Sequence, residues 1–167
     1  VGRKGNFAYV LEDESGNSTP HTWASKALDL YNRYVGKCPK GQCQIVAETN
    51  KGGKLVLDIL KQVASSRDMR NVPIREVYAQ KGSGKDVRAE PIAALYEQGR
   101  VFHTDTKKFE KLETQMKNFD PLKTDEVTAK IKRKTKSPDR LDALVWAIAH
   151  LRFLTPQALP KYNKLRT

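Results

Sequence analysis

The sequence is poor in cysteine and histidine and has no long apolar run. It has 167 residues, of which two are cysteines, Cys38 and Cys43, and three are histidines without ligand spacing. A disulfide framework and a zinc site made of Cys and His are therefore excluded. We expect Cys38 and Cys43 to be reduced thiols in a loop, and a local disulfide between them is the alternative. No apolar run could cross a bilayer, and the first residues lack the apolar core of a signal peptide, so we expect a cytoplasmic protein without membrane contact.

Positive charge dominates the composition. There are 31 Lys and Arg residues against 19 Asp and Glu, which gives a formal net charge of +12. Such a field attracts polyanions, and nucleic acid is the commonest of these partners. The alternative is a basic protein that is merely soluble. The sequence contains no G-x-x-x-x-G-K-[ST] pattern, and this excludes a P-loop ATPase within these residues.

Strands and helices alternate in the first half of the sequence. A hairpin turn at residues 4–6 precedes a strand over residues 7–11, and Thr19 and Pro20 open a helix that runs to about Tyr34. A second strand covers residues 44–48, a helix is centred on residues 55–63, and a third strand covers residues 73–79. This alternation predicts an α/β fold with a partly parallel sheet.

The second half is mainly helical and more basic. We predict a basic loop over residues 80–85, helices over residues 88–98 and 109–119, and a short extended segment at residues 101–103. A basic run over residues 123–136 leads to Ser137 and Pro138, which suit the start of a last helix. That helix carries apolar residues at helical spacing: Leu141, Leu144, Val145 and Ile148.

Two acidic residues stand out by position. Glu48 ends a predicted central strand, and Asp142 lies beside the apolar stripe of the last helix. Sites of α/β proteins form at the carboxyl ends of strands, and carboxylate oxygens suit Mg²⁺ and Mn²⁺. Position alone leaves simpler interpretations open. Asp142 would also be favoured by the helix dipole, and Glu48 could be a solvated loop acid or a partner of Lys51.

Four segments together resemble a known family. They are YVLEDES at residues 9–15, IVAETNKGG at 45–53, KDVRAEPIAALYEQGRV at 85–101 and SPDRLDALVWA at 137–147. In this order they resemble the nuclease domain of the large terminase subunit of tailed phages. The resemblance runs from Val1 to about Leu154. It implies a terminase-type nuclease domain over residues 1–154, followed by a basic C-terminal tail over residues 155–167.

The resemblance implies an RNase H-like (retroviral-integrase-like) mixed sheet flanked by helices. It also implies an endonuclease that cuts concatemeric double-stranded DNA during packaging, using two Mg²⁺ or Mn²⁺ ions. The implied partners are double-stranded DNA, a packaging ATPase domain, the portal and the small terminase subunit. The implied setting is the cytoplasm of a bacterial host, with a phage or prophage gene.

The family uses three acids, and the resemblance assigns two of them here. Glu48 matches the second and Asp142 the third, as catalytic residues and metal ligands. The first belongs on the first, central strand of the sheet, and we expect that strand and its Asp to be missing from the given sequence. Asp13 ends a neighbouring strand and is an accessory candidate for the metal site.

Basic residues are candidates for DNA contacts. We assign this role to Lys81, Lys85, Arg88, Arg100, Lys132, Arg133 and Lys134, while a solvated basic face is the simpler interpretation. Three alternatives to the terminase nuclease stay open. They are another RNase H-like nuclease such as a junction resolvase, a catalytically incomplete DNA-binding or packaging-assembly module (a prophage remnant), and a structural fragment that needs missing strands to fold.

Overall fold

The computed structural model of the chain describes residues 1–50, 53–79, 84–105, 108–119 and 139–151. These residues form two compact units, which we describe separately: unit 1 comprises residues 1–13 and those from residue 88 onward, and unit 2 comprises residues 14–87. The strands are β1 (Gly2–Lys4), β2 (Phe7–Val10), β3 (Ile45–Glu48), β4 (Ile74–Val77) and β5 (Val101–His103). The helices are α1 (Pro20–Val35), α2 (Lys54–Ser66), α3 (Lys85–Glu97), α4 (Glu110–Lys117) and α5 (Asp139–Ala149).

Unit 1 contains a mixed sheet in the order β1-β2-β5. β1 and β2 form an antiparallel hairpin, and Gly5 at its turn has a φ of 58°, which a residue without a Cβ adopts without strain. β5 pairs parallel to β2, with Ala8 opposite Val101 and Val10 opposite His103. The carboxyl ends of β2 and β5 therefore lie at the same edge of this sheet.

The core of unit 1 joins one face of this sheet to helices. Ala8 and Val10 are both buried. They lie two residues apart on β2 and therefore on the same face of the strand, as expected for a half-buried strand. The largest fully buried side chain in the described residues, Phe109, precedes α4 and packs in the same cluster. α5 contributes four residues to this cluster, and they are the four that the apolar spacing predicted: Leu141, Leu144, Val145 and Ile148.

Unit 2 is built on the parallel pair β3 and β4, in which Ile45 lies opposite Ile74 and Glu48 opposite Val77. α1 packs against α2, and their apolar faces share a core that includes Ala24, Leu28 and Leu60. Thr19 caps α1: its side chain accepts a hydrogen bond from the backbone N–H of Thr22 at 3.3 Å, and Pro20 occupies the first turn.

The predicted α/β class is confirmed, and most predicted elements lie where the pattern placed them. The hairpin, the cap at Thr19 and the parallel pair β3–β4 agree with prediction. α3 differs, because it begins at Lys85 and carries Pro91 inside the helix, whereas the pattern predicted a start at Arg88 with Lys85 in the loop. The predicted start at Ser137 and Pro138 and the basic run at 123–136 lie outside the described residues.

Two further expectations concern thiols and membranes. Cys38 and Cys43 are free cysteines in this structure. Burial, with a smaller effect of neighbouring Cys38, raises the pKa of the Cys43 thiol to about 11. None of the helices in the described part of the chain combines the length and apolar character that a membrane-spanning helix requires.

The core of unit 2 predicts a position-dependent effect of one substitution. Leu28 on α1 is 0% exposed, whereas Leu55 on α2 is 63% exposed. Leu28→Ala should lower the free energy of unfolding by about 2–5 kcal/mol, because it removes buried methyl groups and leaves a cavity. Leu55→Ala should change it by less than about 0.5 kcal/mol. Urea unfolding monitored by circular dichroism measures both, and equal effects would contradict this packing.

Candidate active site

Asp142 lies in the first turns of α5, and its carboxylate is paired with an arginine. Nη2 of Arg88, on α3, donates to Oδ1 of Asp142 at 3.0 Å. The two side chains are 13% and 12% exposed, so the pair is largely withdrawn from water. A carboxylate beside a core stripe is expensive to keep ionised unless a cation meets it. Arg88 supplies that cation.

The Arg88 guanidinium also lies over the ring of Trp146, which is on α5. Its central carbon is 5.2 Å from the ring centroid of Trp146, which follows Asp142 by four residues on α5. Residues four apart share one helix face, so Asp142 and Trp146 present a charged and an aromatic contact side by side. A guanidinium over the face of a tryptophan ring is electrostatically favourable. Arg88 is therefore held by two groups of α5.

A second ion pair ties the same helix to the sheet. Nη1 of Arg140 contacts Oδ2 of Asp13 at 2.5 Å, and the Asp13 side chain is 7% exposed. Asp13 lies in the segment that follows β2, so this contact joins the start of α5 to that segment. The structure thus places Asp13 and Asp142 in one unit, and each carboxylate meets an arginine from a distant part of the sequence.

Gln115 on α4 binds the amino end of α5. Its Oε1 accepts from the backbone N–H of Arg140 at 3.0 Å and from that of Leu141 at 3.3 Å. The first backbone N–H groups of a helix lack partners within the helix, so an acceptor from another helix can satisfy them. Sequence reasoning did not identify Gln115, because the contact joins segments 25 residues apart and has no local signature.

Glu48 ends β3 in unit 2, and the two residues after it, Thr49 and Asn50, form side-chain hydrogen bonds. The buried Thr49 donates from Oγ1 to Oε1 of Glu76 at 2.8 Å. Asn50 accepts from the backbone N–H of Ala79 at 2.8 Å, which continues the pairing of β3 with β4 beyond the strand ends. Gly53, before α2, has φ 54° and ψ −149°, a conformation that is essentially restricted to glycine. These contacts and this conformation give local structural roles to Thr49, Asn50 and Gly53.

The predicted DNA-binding residues are only partly described. Lys85 is the first residue of α3, and Arg88 is the partner of Asp142. Arg100 donates from Nε to the backbone oxygen of Asn6 at 3.0 Å and from Nη1 to Gln98 at 3.2 Å. The other four predicted residues, Lys81, Lys132, Arg133 and Lys134, lie outside the described residues.

A histidine network at the end of β5 was also missed by sequence reasoning. Nε2 of His103 is 2.8 Å from the Tyr96 hydroxyl, and its Nδ1 is 2.8 Å from Oε1 of Glu113. The three side chains line a cavity of about 300 Å³ together with Val101, Met116 and Lys117. Burial, with a smaller contribution from Glu113, raises the pKa of Tyr96, so its hydroxyl stays protonated. Only the three-dimensional packing brings these residues together.

The donor atoms fit a hard divalent cation, although no complete ligand cluster is formed by the described residues. Within the described ranges there is no group of three or more His, Cys, Asp or Glu side chains placed to hold one ion. The carboxylates of Asp13, Glu48 and Asp142 offer oxygen ligands, which Mg²⁺ and Mn²⁺ prefer. In unit 1, the two carboxylates Asp13 and Asp142 already bind a positive group, the guanidinium of an arginine.

A family model described as a terminase RNaseH-like domain matches residues 1–151. No curated protein and no solved structure matches the chain significantly.

The Gln115 contact predicts that this side chain stabilises the start of α5. Gln115→Met keeps the length of the side chain and removes the acceptor, so two backbone N–H groups lose their partner. The free energy of unfolding should fall by about 0.5–2 kcal/mol, the range for losing a helix cap. Gln62→Met, on the exposed face of α2, is the matched control and should have no comparable effect. Equal denaturation midpoints for both variants would refute the capping role.

Proposed function

Because the chain belongs to the terminase RNaseH-like domain family, we propose that it is the nuclease domain of a large terminase subunit and that it hydrolyses phosphodiester bonds of double-stranded DNA with Mg²⁺ or Mn²⁺. The single observation that carries this proposal is the family match over residues 1–151. The net charge of +12 supports a polyanionic substrate. Membership of this family also supports a packaging ATPase domain, the portal and a small terminase subunit as partners.

We assign the metal-ligand role to Glu48 and Asp142. Both carry oxygen donors. The Asp142 carboxylate is bound by Arg88, and Glu48 is the last residue of β3, before Thr49 and Asn50, which form hydrogen bonds with Glu76 and Ala79. Asp13 is an accessory candidate at the carboxyl end of β2. A bound divalent cation stabilises the negative charge that develops on phosphate oxygens and promotes the ionisation of water.

The remaining residues of the proposed site either hold α5 in position or contact DNA phosphates. The Arg140–Asp13 pair and the Gln115 contact fix the start of α5, and Arg88 binds the Asp142 carboxylate, so three separate segments position Asp142. Lys85 and Arg100 are proposed to contact phosphates, together with Lys81, Lys132, Arg133 and Lys134. Contacts to phosphates position DNA without reading bases, so cleavage should depend little on sequence.

A second candidate function is DNA binding without cleavage, as in a packaging-assembly module. The pairing of Asp13 and Asp142 with arginines favours it, because a guanidinium already neutralises each of these carboxylates. Incubating supercoiled plasmid with the chain and Mn²⁺ separates the two candidates. A nuclease converts the plasmid to nicked and linear forms, and a DNA-binding module retards it without breaking strands. Cleavage confined to branched DNA would instead indicate a junction resolvase.

The metal-ligand assignment predicts the loss of nicking in two variants. Asp142→Asn and Glu48→Gln each keep the size of the side chain and remove its negative charge. Loss of groups that merely support metal ligands typically lowers activity 10- to 100-fold, so loss of a ligand should slow plasmid nicking by at least about 100-fold. Asp29→Asn, a surface acid on α1 paired with Arg67, is the control and should nick at the normal rate. Wild-type rates for Asp142→Asn would refute its role.

The phosphate-contact assignment predicts a change in salt dependence. Lys85→Met should weaken DNA binding to a similar extent for all sequences and reduce the slope of log K against log salt by about 0.9. Lys61→Met removes the same charge from the exposed face of α2 and is the matched control. Fluorescence anisotropy with labelled duplexes in EDTA, over a series of salt concentrations, gives both slopes. Identical slopes for the two variants would remove Lys85 from the DNA-binding set.

A further inference from the structure

Arg88 has surroundings that differ from those of a phosphate-binding arginine. Its side chain is 13% exposed, its Nη2 lies 3.0 Å from Oδ1 of Asp142, and its guanidinium lies 5.2 Å from the centroid of the Trp146 ring. An arginine that takes up a phosphate from solvent has to present its guanidinium to solvent. Arg88 instead directs that group onto α5, at the carboxylate proposed as a metal ligand.

We propose that Arg88 is a positioning residue that serves as an internal counter-cation for Asp142. In the metal-free protein it neutralises the carboxylate and holds it in one direction, and a divalent cation has to compete with it for that carboxylate. Arg88 therefore sets the metal concentration at which the domain becomes loaded. This inference rests on the proposed function, because it takes Asp142 as a metal ligand.

The competition follows from the charges. A guanidinium and a divalent cation at one carboxylate repel each other, and this repulsion is weakly screened because the Arg88–Asp142 pair is largely buried. Removing the guanidinium leaves a buried carboxylate without that neutralising charge, which destabilises the metal-free state. Both effects act in the same direction, so the loss of Arg88 should tighten metal binding.

The contact with Trp146 explains why this position suits arginine. A guanidinium is planar and can lie over the ring while one edge donates to Asp142, whereas an ammonium group is compact and strongly hydrated. Lysine at position 88 would keep the charge and lose the planar contact. It should hold the carboxylate less firmly, so Arg88→Lys should tighten metal binding by less than Arg88→Met does.

Isothermal titration calorimetry of the full chain with Mn²⁺, without DNA, tests the inference. Arg88→Met should lower the Kd for Mn²⁺ by at least about tenfold, since close charge pairs are coupled by at least that much. The matched control is Arg67→Met, which removes the same charge. It breaks a surface ion pair in which Nη1 of Arg67 lies 2.6 Å from Oδ1 of Asp29. Its Kd should stay within about twofold of wild type, because exposed pairs are weakly coupled.

A Kd for Arg88→Met that is unchanged or higher overturns the inference. If Arg88→Met does not fold, Arg88→Lys decides: a Kd below that of Arg67→Met supports the inference, and an equal Kd overturns it. A second readout is DNA binding in EDTA. Arg88→Met should leave the salt slope unchanged, and a slope reduced by about 0.9 would make Arg88 a phosphate contact and overturn the positioning role.

Asp142→Asn separates this inference from the proposed function. If that variant binds Mn²⁺ as tightly as wild type does, Asp142 is not a ligand, and the metal assignment fails together with the role of Arg88. If Asp142→Asn loses Mn²⁺ binding while Arg88→Met binds no more tightly than wild type, Asp142 keeps its role and only the inference about Arg88 is wrong.

Discussion

The ion pair between Arg88 and Asp142 connects the features of unit 1 that matter for the candidate site. It joins α3 to the start of α5, where a carboxylate lies beside the apolar stripe that builds the core. Removing one partner of a buried pair typically costs about 3–5 kcal/mol, because the other charge is left uncompensated. A cation next to a carboxylate in this position therefore offsets the cost of burying its charge. Arg88 provides one such cation, and a divalent ion is the other that we propose.

Two further contacts limit how α5 can move. Arg140 binds Asp13 at the carboxyl end of β2, and Gln115 of α4 accepts from two backbone N–H groups of the first turn. The start of the helix is thus bound by the segment after β2, by α3 and by α4 at once. A side chain that serves as a metal ligand needs this kind of support, because ligand geometry tolerates little displacement. In unit 2, Thr49 and Asn50, the two residues after Glu48, form hydrogen bonds with Glu76 and Ala79.

The parts of this structure that the sequence predicted are those with local causes. The Thr19 cap, the hairpin turn at Gly5 and the buried face of α5 depend on residues within a few positions of each other. The partners of the acids could not be predicted, since Arg88 and Asp142 are 54 residues apart, and Arg140 and Asp13 are 127 apart. The predicted start of α3 at Arg88 was wrong, because the helix begins at Lys85 and continues through Pro91. Glu48 and Asp142 stand out by their position in the sequence, the resemblance assigns their roles, and the family match confirms the family itself.

The most direct measurement for the central claim is anomalous diffraction from crystals soaked in Mn²⁺. The account predicts an anomalous peak about 2.0–2.2 Å from a carboxylate oxygen of Asp142, the distance at which small divalent cations bind oxygen. A saturating soak that leaves no peak at Asp142, with Arg88 still in contact with its carboxylate, would contradict the account.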